Sequence, residues 1–193
     1  MPRERREQLI LDVAGQVFAW AGYESASMDE IADRAGVSKP MLYAYFGSKE
    51  GLYLAYIRRS GGELVERLVA AAPADDRSTE GLRARITEFL AFVQEHANGW
   101  KVLFREVAST RPFAEHVAEL RERIVDAVRR MVESSRPAHV PPASDAIAHA
   151  LVGAGESLAN WWLDHPEVGR EQVVEWYLSV VQAVVARPSG PLR

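Results

Sequence analysis

The sequence predicts an all-α fold, and three observations carry the prediction. Apolar residues recur at three- and four-residue spacing along most of the 193-residue chain. No stretch sustains the strict alternation, enriched in β-branched residues, of a half-buried strand. The breaks between periodic segments fall on glycine, proline, asparagine and serine. About nine helices are expected, with no internal repeat and no low-complexity tract.

Taken in order, the first helix is expected from about Arg3 to Ala21, with Ile10, Val13, Ala14, Val17, Phe18 and Ala21 on one stripe. Gly22 closes it. Ser27-Met28-Asp29-Glu30 has the form of a capping box and opens a short helix through Ala35. Gly36-Val37-Ser38 makes the turn, and Ser38 caps a third helix through Phe46. Pro40 falls in that helix's first turn, where its missing N–H costs little. Ser48 caps a long fourth helix from Lys49 to Ala72, and Pro73–Thr79 reads as a linker. Further helices are expected at Glu80–Ala97, Gly99–Ala108, Pro112–Ser135, Pro142–Asp164 and Arg170–Ala186, followed by a frayed tail from Arg187. This organisation divides the chain into a small helix-turn-helix domain over residues 1–50 and a larger helical domain over residues 51–193.

Composition restricts the function classes. There is no cysteine, which excludes a disulfide framework, a thiolate metal site and a cysteine nucleophile. The five histidines show no metal-ligand spacing, no glycine-rich phosphate loop is present, and the serines sit at caps and turns. No cofactor or metal is therefore expected, and an enzyme is disfavoured. The charged start has no apolar stretch after it, and no run approaches the ~18 residues of a membrane span. A cytoplasmic protein is expected. The net charge of −4 does not by itself favour nucleic acid: residues 1–60 carry eight basic against eight acidic side chains. A DNA-binding surface would have to come from placement.

The third helix supplies such placement. On a helical projection Leu42 and Phe46 share the inward face, while the opposite arc holds Pro40 and Ala44, flanked by Met41 and Tyr43. Small residues at the centre of that arc allow close approach to base edges. Met41 and Ala44 suit thymine methyls, and Lys39 suits a guanine edge or a phosphate. Tyr43 and Tyr45 carry hydroxyls suited to phosphate oxygens, as do Ser27, Ser38, Lys49 and the N–H groups opening the fourth helix. Packing in the core is the lesser alternative for each tyrosine ring, more so for Tyr43 than for Tyr45. Arg3, Arg5 and Arg6 read either as an arm reaching the minor groove or, at least as readily, as a charged, frayed start.

The stretch from Ser27 to Leu52 resembles the DNA-binding signature of TetR-type transcriptional regulators. The elements that carry the resemblance are Ile31-Ala32, Ala35-Gly36-Val37-Ser38, Leu42-Tyr43, Tyr45-Phe46 and Ser48-Lys49-Glu50. The resemblance covers about a quarter of the chain. It implies that Ser27, Tyr43, Tyr45 and Lys49 contact the DNA backbone and that Lys39, Met41 and Ala44 read bases. Pro40-Met41 stands where many members have Gly-Thr, so a shifted base preference is expected. The resemblance also implies an operator-binding homodimer, with a small-molecule effector held among the C-terminal helices.

Two apolar rows run along each of the last two helices. Ile147, Leu151, Ala154, Leu158 and Trp161 form one row, and Ala148, Val152, Gly155, Ala159 and Trp162 the other. On the last helix Val173, Tyr177, Val180 and Val184 lie beside Val174, Leu178, Val181 and Val185. One stripe suffices to pack a helix on its own subunit, so a second suggests burial against another copy. The row from Ala148 to Trp162, with Val174, Val181 and Val185, is the expected dimer interface. For an apolar effector the candidate contacts are Phe89, Phe92, Trp100, Phe104 and Phe113, with His149, Glu156 and Asn160 as polar groups that orient it. Taken singly, each ring reads more readily as core and each polar group as a structural hydrogen-bond partner. The expected function is a sequence-specific regulator, a repressor released from a pseudo-palindromic operator by a small apolar ligand. The alternative is a helical ligand-binding or protein-interaction module without specific DNA binding.

Overall fold

The structure is a computed structural model that describes residues 2–73, 76, 78–97, 100, 114–135 and 141–186. Among these residues there are eight α-helices and no strand: α1 Arg3–Ser25, α2 Met28–Ala35, α3 Lys39–Phe46, α4 Lys49–Ala70, α5 Thr79–Glu95, α6 Ala114–Ser135, α7 Pro141–Leu163 and α8 Arg170–Ala186. The all-helical reading holds. Of the helix expected over Gly99–Ala108, only Trp100 is described, and the tail from Arg187 lies outside the described residues. The chain divides into two compact units, residues 1–62 with 96–119 and residues 63–95 with 120–193.

The first unit is organised around the apolar stripe of α1. Ile10, Ala14, Val17 and Phe18 are fully buried and meet Ile31 of α2, Leu42 of α3, and Leu52, Tyr53 and Ile57 of α4. Phe18 meets Tyr53 edge-on at 4.8 Å, a favoured geometry for two aromatic quadrupoles. Gly15 allows a close approach of α4: a Cβ there would stand 2.5 Å from Cε2 of Tyr56. Gly22 ends the regular run of α1, as expected: at φ 74°, ψ 167° it leaves the helical region in a conformation open to glycine, and a short turn through Ser25 follows the kink.

In the second unit α5 packs along α8, and α7 packs on both. Polar groups link elements far apart in sequence. Arg83 of α5 pairs with Glu175 of α8, Arg121 of α6 with Glu156 of α7, and Thr79 receives a hydrogen bond from Gln182. The stretch before α5 is also fixed: the Arg85 guanidinium donates to the carbonyls of Ala72 (3.2 Å) and Asp76 (3.1 Å). Asp76 in turn accepts the Ser78 N–H at 2.9 Å, and hydrogen bonding by Ser78 holds its carboxyl below the usual range.

Candidate nucleic-acid interface

Local hydrogen bonding sets the geometry of α2, the turn and α3. Ser27 caps α2 by accepting the N–H groups of Asp29 and Glu30 at 3.2 and 3.5 Å. At the other end Val37 N–H reaches Ala32 O and Gly36 N–H reaches Asp33 O, the paired bonds of a Schellman stop. Gly36 adopts φ 65°, ψ 33° there. Val37 then packs against the core, which fixes the direction in which the chain leaves α2. Ser38 caps α3 by accepting Met41 N–H at 3.3 Å, and Pro40 sits in the first turn without losing a bond. Ser48 repeats the device for α4, accepting Gly51 N–H at 2.9 Å.

This frame turns α3 as its sequence implies. Leu42 is fully buried and Phe46 packs against the core. Lys39, Pro40, Tyr43 and Ala44 are exposed, and Met41 is half-buried. Tyr45 combines both roles weighed for it: its ring packs against the core and carries the Arg3 guanidinium at 5.3 Å. Arg6 approaches Met41 from the same side, with Nη1 4.0 Å from Sδ.

The charged groups are more engaged than the sequence suggested. Lys39 Nζ lies 2.8 Å from Asp29 Oδ2, and that hydrogen bond holds the ammonium above its ordinary lysine value. Lys49 donates to the Glu24 carbonyl at 2.8 Å and lies 4.8 Å over the Tyr23 ring. Burial raises the Tyr23 phenol, with Glu50 and Glu24 adding to the effect. Serine caps accept through oxygen, so each hydroxyl retains its own proton for donation, and Ser27 and Ser38 keep the capacity to bind a phosphate oxygen. Spacing gives no signal for the Asp29–Lys39 pair or for the approach of α1 to α3.

The described residues read as effector contacts each have local partners in the structure. Phe92 is buried beneath Arg67, 5.8 Å from its ring, and Phe89 lies beside Tyr177 at 6.5 Å. Glu156 accepts Arg121 Nε at 3.0 and 3.2 Å, Asn160 is half-buried, and His149 lies 3.9 Å from Asp145. These belong to the second unit, whereas Trp100, also buried, belongs to the first. Phe104 and Phe113 lie outside the described residues. No cluster of three or more potential metal ligands occurs among the described residues. No described helix is long and apolar enough to cross a membrane.

The row assigned to the dimer interface is the row that the subunit itself covers. Ala148, Val152, Ala159 and Trp162 are buried, as are Val174 and Val181, while Val185 is half-buried. Gly155 is roofed by Tyr177, whose hydroxyl would lie 2.8 Å from an added Cβ and which donates to Leu151 O at 2.7 Å. Of the other rows Leu151 and Val173 are buried as well, and the large apolar side chains that α7 and α8 leave exposed are Trp161 at 39%, Trp176 at 44% and Val180 at 46%.

Comparison with known proteins agrees with this architecture. Residues 10–56 match the family described as bacterial regulatory proteins, tetR family, and residues 78–184 match the tetracyclin repressor-like C-terminal domain. The chain is 35% identical to the HTH-type transcriptional activator FasR of Mycolicibacterium smegmatis, over 91% of this chain and 80% of that protein. It is 30% identical to an HTH-type transcriptional repressor of Mycobacterium tuberculosis, over 68% of each. The crystal structure of a TetR-like transcriptional regulator from Rhodococcus sp. RHA1 superposes with a TM-score of 0.77 at 37% identity, covering 97% of this chain and all of that one. The chain belongs to the TetR family of bacterial regulatory proteins, and it is a DNA-binding, helix-turn-helix regulator of transcription.

Proposed function

We propose that the protein binds a pseudo-palindromic operator as a homodimer and represses transcription until a small, mostly apolar molecule releases it. The observation that supports the DNA contacts is the polarity of α3, with Leu42 sealed in the core and Lys39, Pro40, Tyr43 and Ala44 exposed on the opposite arc. In this reading Met41, Ala44 and Lys39 face bases, and Lys39 exchanges Asp29 for DNA. Ser27, Ser38, Tyr43, Tyr45 and Lys49 hold phosphates. Two such helices related by a twofold axis meet successive major grooves roughly 34 Å apart.

The dimer surface we propose is the exposed face of α7 and α8. Trp161 and Trp176 meet edge-on at 6.1 Å, with Val180 on the same side of α8, and this is apolar surface of the kind that a second copy covers. The DNA-reading domain is residues 1–50, and the remainder serves dimerisation and effector binding. Phe89 and Phe92 supply apolar contact to the effector, and His149, Glu156 and Asn160 supply polar contact. A regulator of this kind performs no catalysis and works where its DNA is, in the cytoplasm.

Selection from a random duplex pool tests the reading. Lys49→Ala and Tyr43→Phe should weaken binding without changing the selected sequence, whereas Met41→Thr should change it at one or two positions. Equal effects of the two classes on preference would refute the assignment. A second reading, activation, is favoured by the relative that is named an activator. A reporter placed behind the selected operator separates the two by the sign of its response.

A further inference from the structure

We propose that Asp29 is a specificity-determining residue: its carboxylate keeps the Lys39 ammonium from settling on phosphates and leaves it to a base edge. The inference rests on the orientation of α3 given under Proposed function. It adds a part in sequence discrimination for a residue of α2.

Three observations converge on it. The first is position. Lys39 opens α3 and is the one charged side chain of that helix, at the edge of the exposed arc that holds Pro40, Tyr43 and Ala44. A cation at a helix N-terminus opposes the macrodipole, and the first turn of α3 has no acidic residue to offset it. The offset comes from α2, where Asp29 Oδ2 lies 2.8 Å from Lys39 Nζ.

The second observation is the choice of partner. Of the two acids in the first turn of α2, Glu30 pairs with Arg34 on its own helix at 3.3 Å. Asp29 has Asp33 four residues on, a like charge, and its carboxylate reaches across the turn to Lys39 instead. The third is exposure. The Lys39 and Asp29 side chains are 46% and 65% exposed, so the pair is weak and DNA can compete for the ammonium.

DNA offers that ammonium two kinds of acceptor. A phosphate is an anion, and one that takes over Lys39 must stand beside the Asp29 carboxylate, like charge against like. A guanine edge is neutral and presents two acceptors, O6 and N7, in place of one carboxylate oxygen. Lysine alone is a point charge that accepts any anion. With Asp29 beside it, exchange is favoured at a guanine and opposed along the backbone. Lys39 then reads a base and adds little to the attraction for an arbitrary duplex.

The experiment compares the affinity of the full chain for the selected operator and for a mixed-sequence duplex of equal length, each across a salt series. The wild type is set against Asp29→Asn, Lys39→Ala and the double variant; asparagine keeps the size of the side chain and removes its charge. Asp29→Asn should free Lys39 for a phosphate and steepen the salt dependence on the mixed-sequence duplex by about one in log K against log salt. The operator slope should stay as it is. Preference for operator over mixed sequence should fall about threefold, the scale of one exposed ion pair. In the Lys39→Ala background, Asp29→Asn should change neither quantity. Thermal unfolding of each variant verifies that the fold is intact. An unchanged slope on the mixed-sequence duplex overturns the proposal, and so does an unchanged preference. An equal effect with and without Lys39 also overturns it, because Asp29 would then repel all DNA alike. Lys39→Ala separates the two levels. If it weakens operator binding while Asp29→Asn leaves slope and preference alone, only this inference falls; if it leaves operator binding unchanged, the assignment of Lys39 to bases falls too.

Discussion

The two units are stabilised differently. In the first, side chains close each helix end at short range and an aromatic and aliphatic core does the rest: Ser27, Ser38 and Ser48 cap, Gly36 stops α2, and Phe18 and Leu42 are fully buried. In the second, the long-range polar pairs Arg83–Glu175 and Arg121–Glu156 join helices around the buried Leu90, Val93 and Val173; the first has such a pair in Arg59–Asp12 and leaves Trp20 exposed. A structure that must present the same face to DNA gains from contacts that leave few alternatives. Ion pairs of partly exposed groups contribute little each and re-form at low cost, so a region built with them can rearrange.

Core substitutions should expose this contrast most strongly. Phe18→Ala removes a fully buried ring and should cost about 3–5 kcal/mol in denaturant unfolding, a loss that the small unit has little else to offset. In the second unit two substitutions that both add charge should separate cleanly. Val152→Asp places an unpaired carboxylate against Val125 and Ala148 and should lower the melting temperature sharply. Trp176→Glu lies on the exposed face and should yield a folded monomer in sedimentation, with operator binding lost. A Trp176→Glu variant that remains dimeric would move the interface elsewhere.

Next in size is a pH effect confined to the second unit. Burial, helped by the nearby Glu156, pushes the Tyr177 phenol from its ordinary 10.0 up to about 12. The neutral phenol is therefore favoured by the fold. Its contribution is complete below pH 10 and is lost as pH rises from there through about 12. A shift of that size corresponds to about 3 kcal/mol. Tyr177→Phe should flatten this alkaline limb in melts recorded between pH 9 and 12, and an unchanged limb would assign it to other groups.

The smallest effects return to the first unit. Gly36→Ala meets no neighbour within 4 Å, so its whole cost is the strain of φ 65°, about 1–2 kcal/mol. Ser38→Ala should cost about 1 kcal/mol through the lost cap. If Gly36→Ala proved neutral in thermal melts, the turn would be less fixed than its paired hydrogen bonds imply.

These differences also explain what the sequence could reveal. Caps and stops act across three or four residues, so Ser27, Gly36, Ser38 and Ser48 were legible from residue order alone. The inward position of Leu42 followed from periodicity because the other side of α3 lacks a competing stripe. On α7 periodicity alone could not choose, because both rows are apolar; the packing of Ala148 and Val152 against Val125 and of Tyr177 over Gly155 turns the row from Ala148 to Trp162 inward. Gly22 was legible as the break in the first helix, whereas the short turn from Tyr23 to Ser25 beyond the kink carries no signal in the sequence. Pairs such as Arg83–Glu175, 92 residues apart, leave no local trace in the sequence.

The approach of Tyr56 to Gly15 has a mechanical consequence. α1 and α4 are pinned at three levels along their length: Lys49 to the Glu24 carbonyl, Tyr56 into the notch at Gly15, and Arg59 to Asp12 and the Gln8 carbonyl. Sliding α4 by one helical turn, about 5.4 Å, would break all three levels at once and drive the ring into a neighbouring side chain. Small displacements are blocked too, because the notch admits a ring only where a side chain is missing. Between Lys49 and Arg59, therefore, α4 is locked to α1 as one piece.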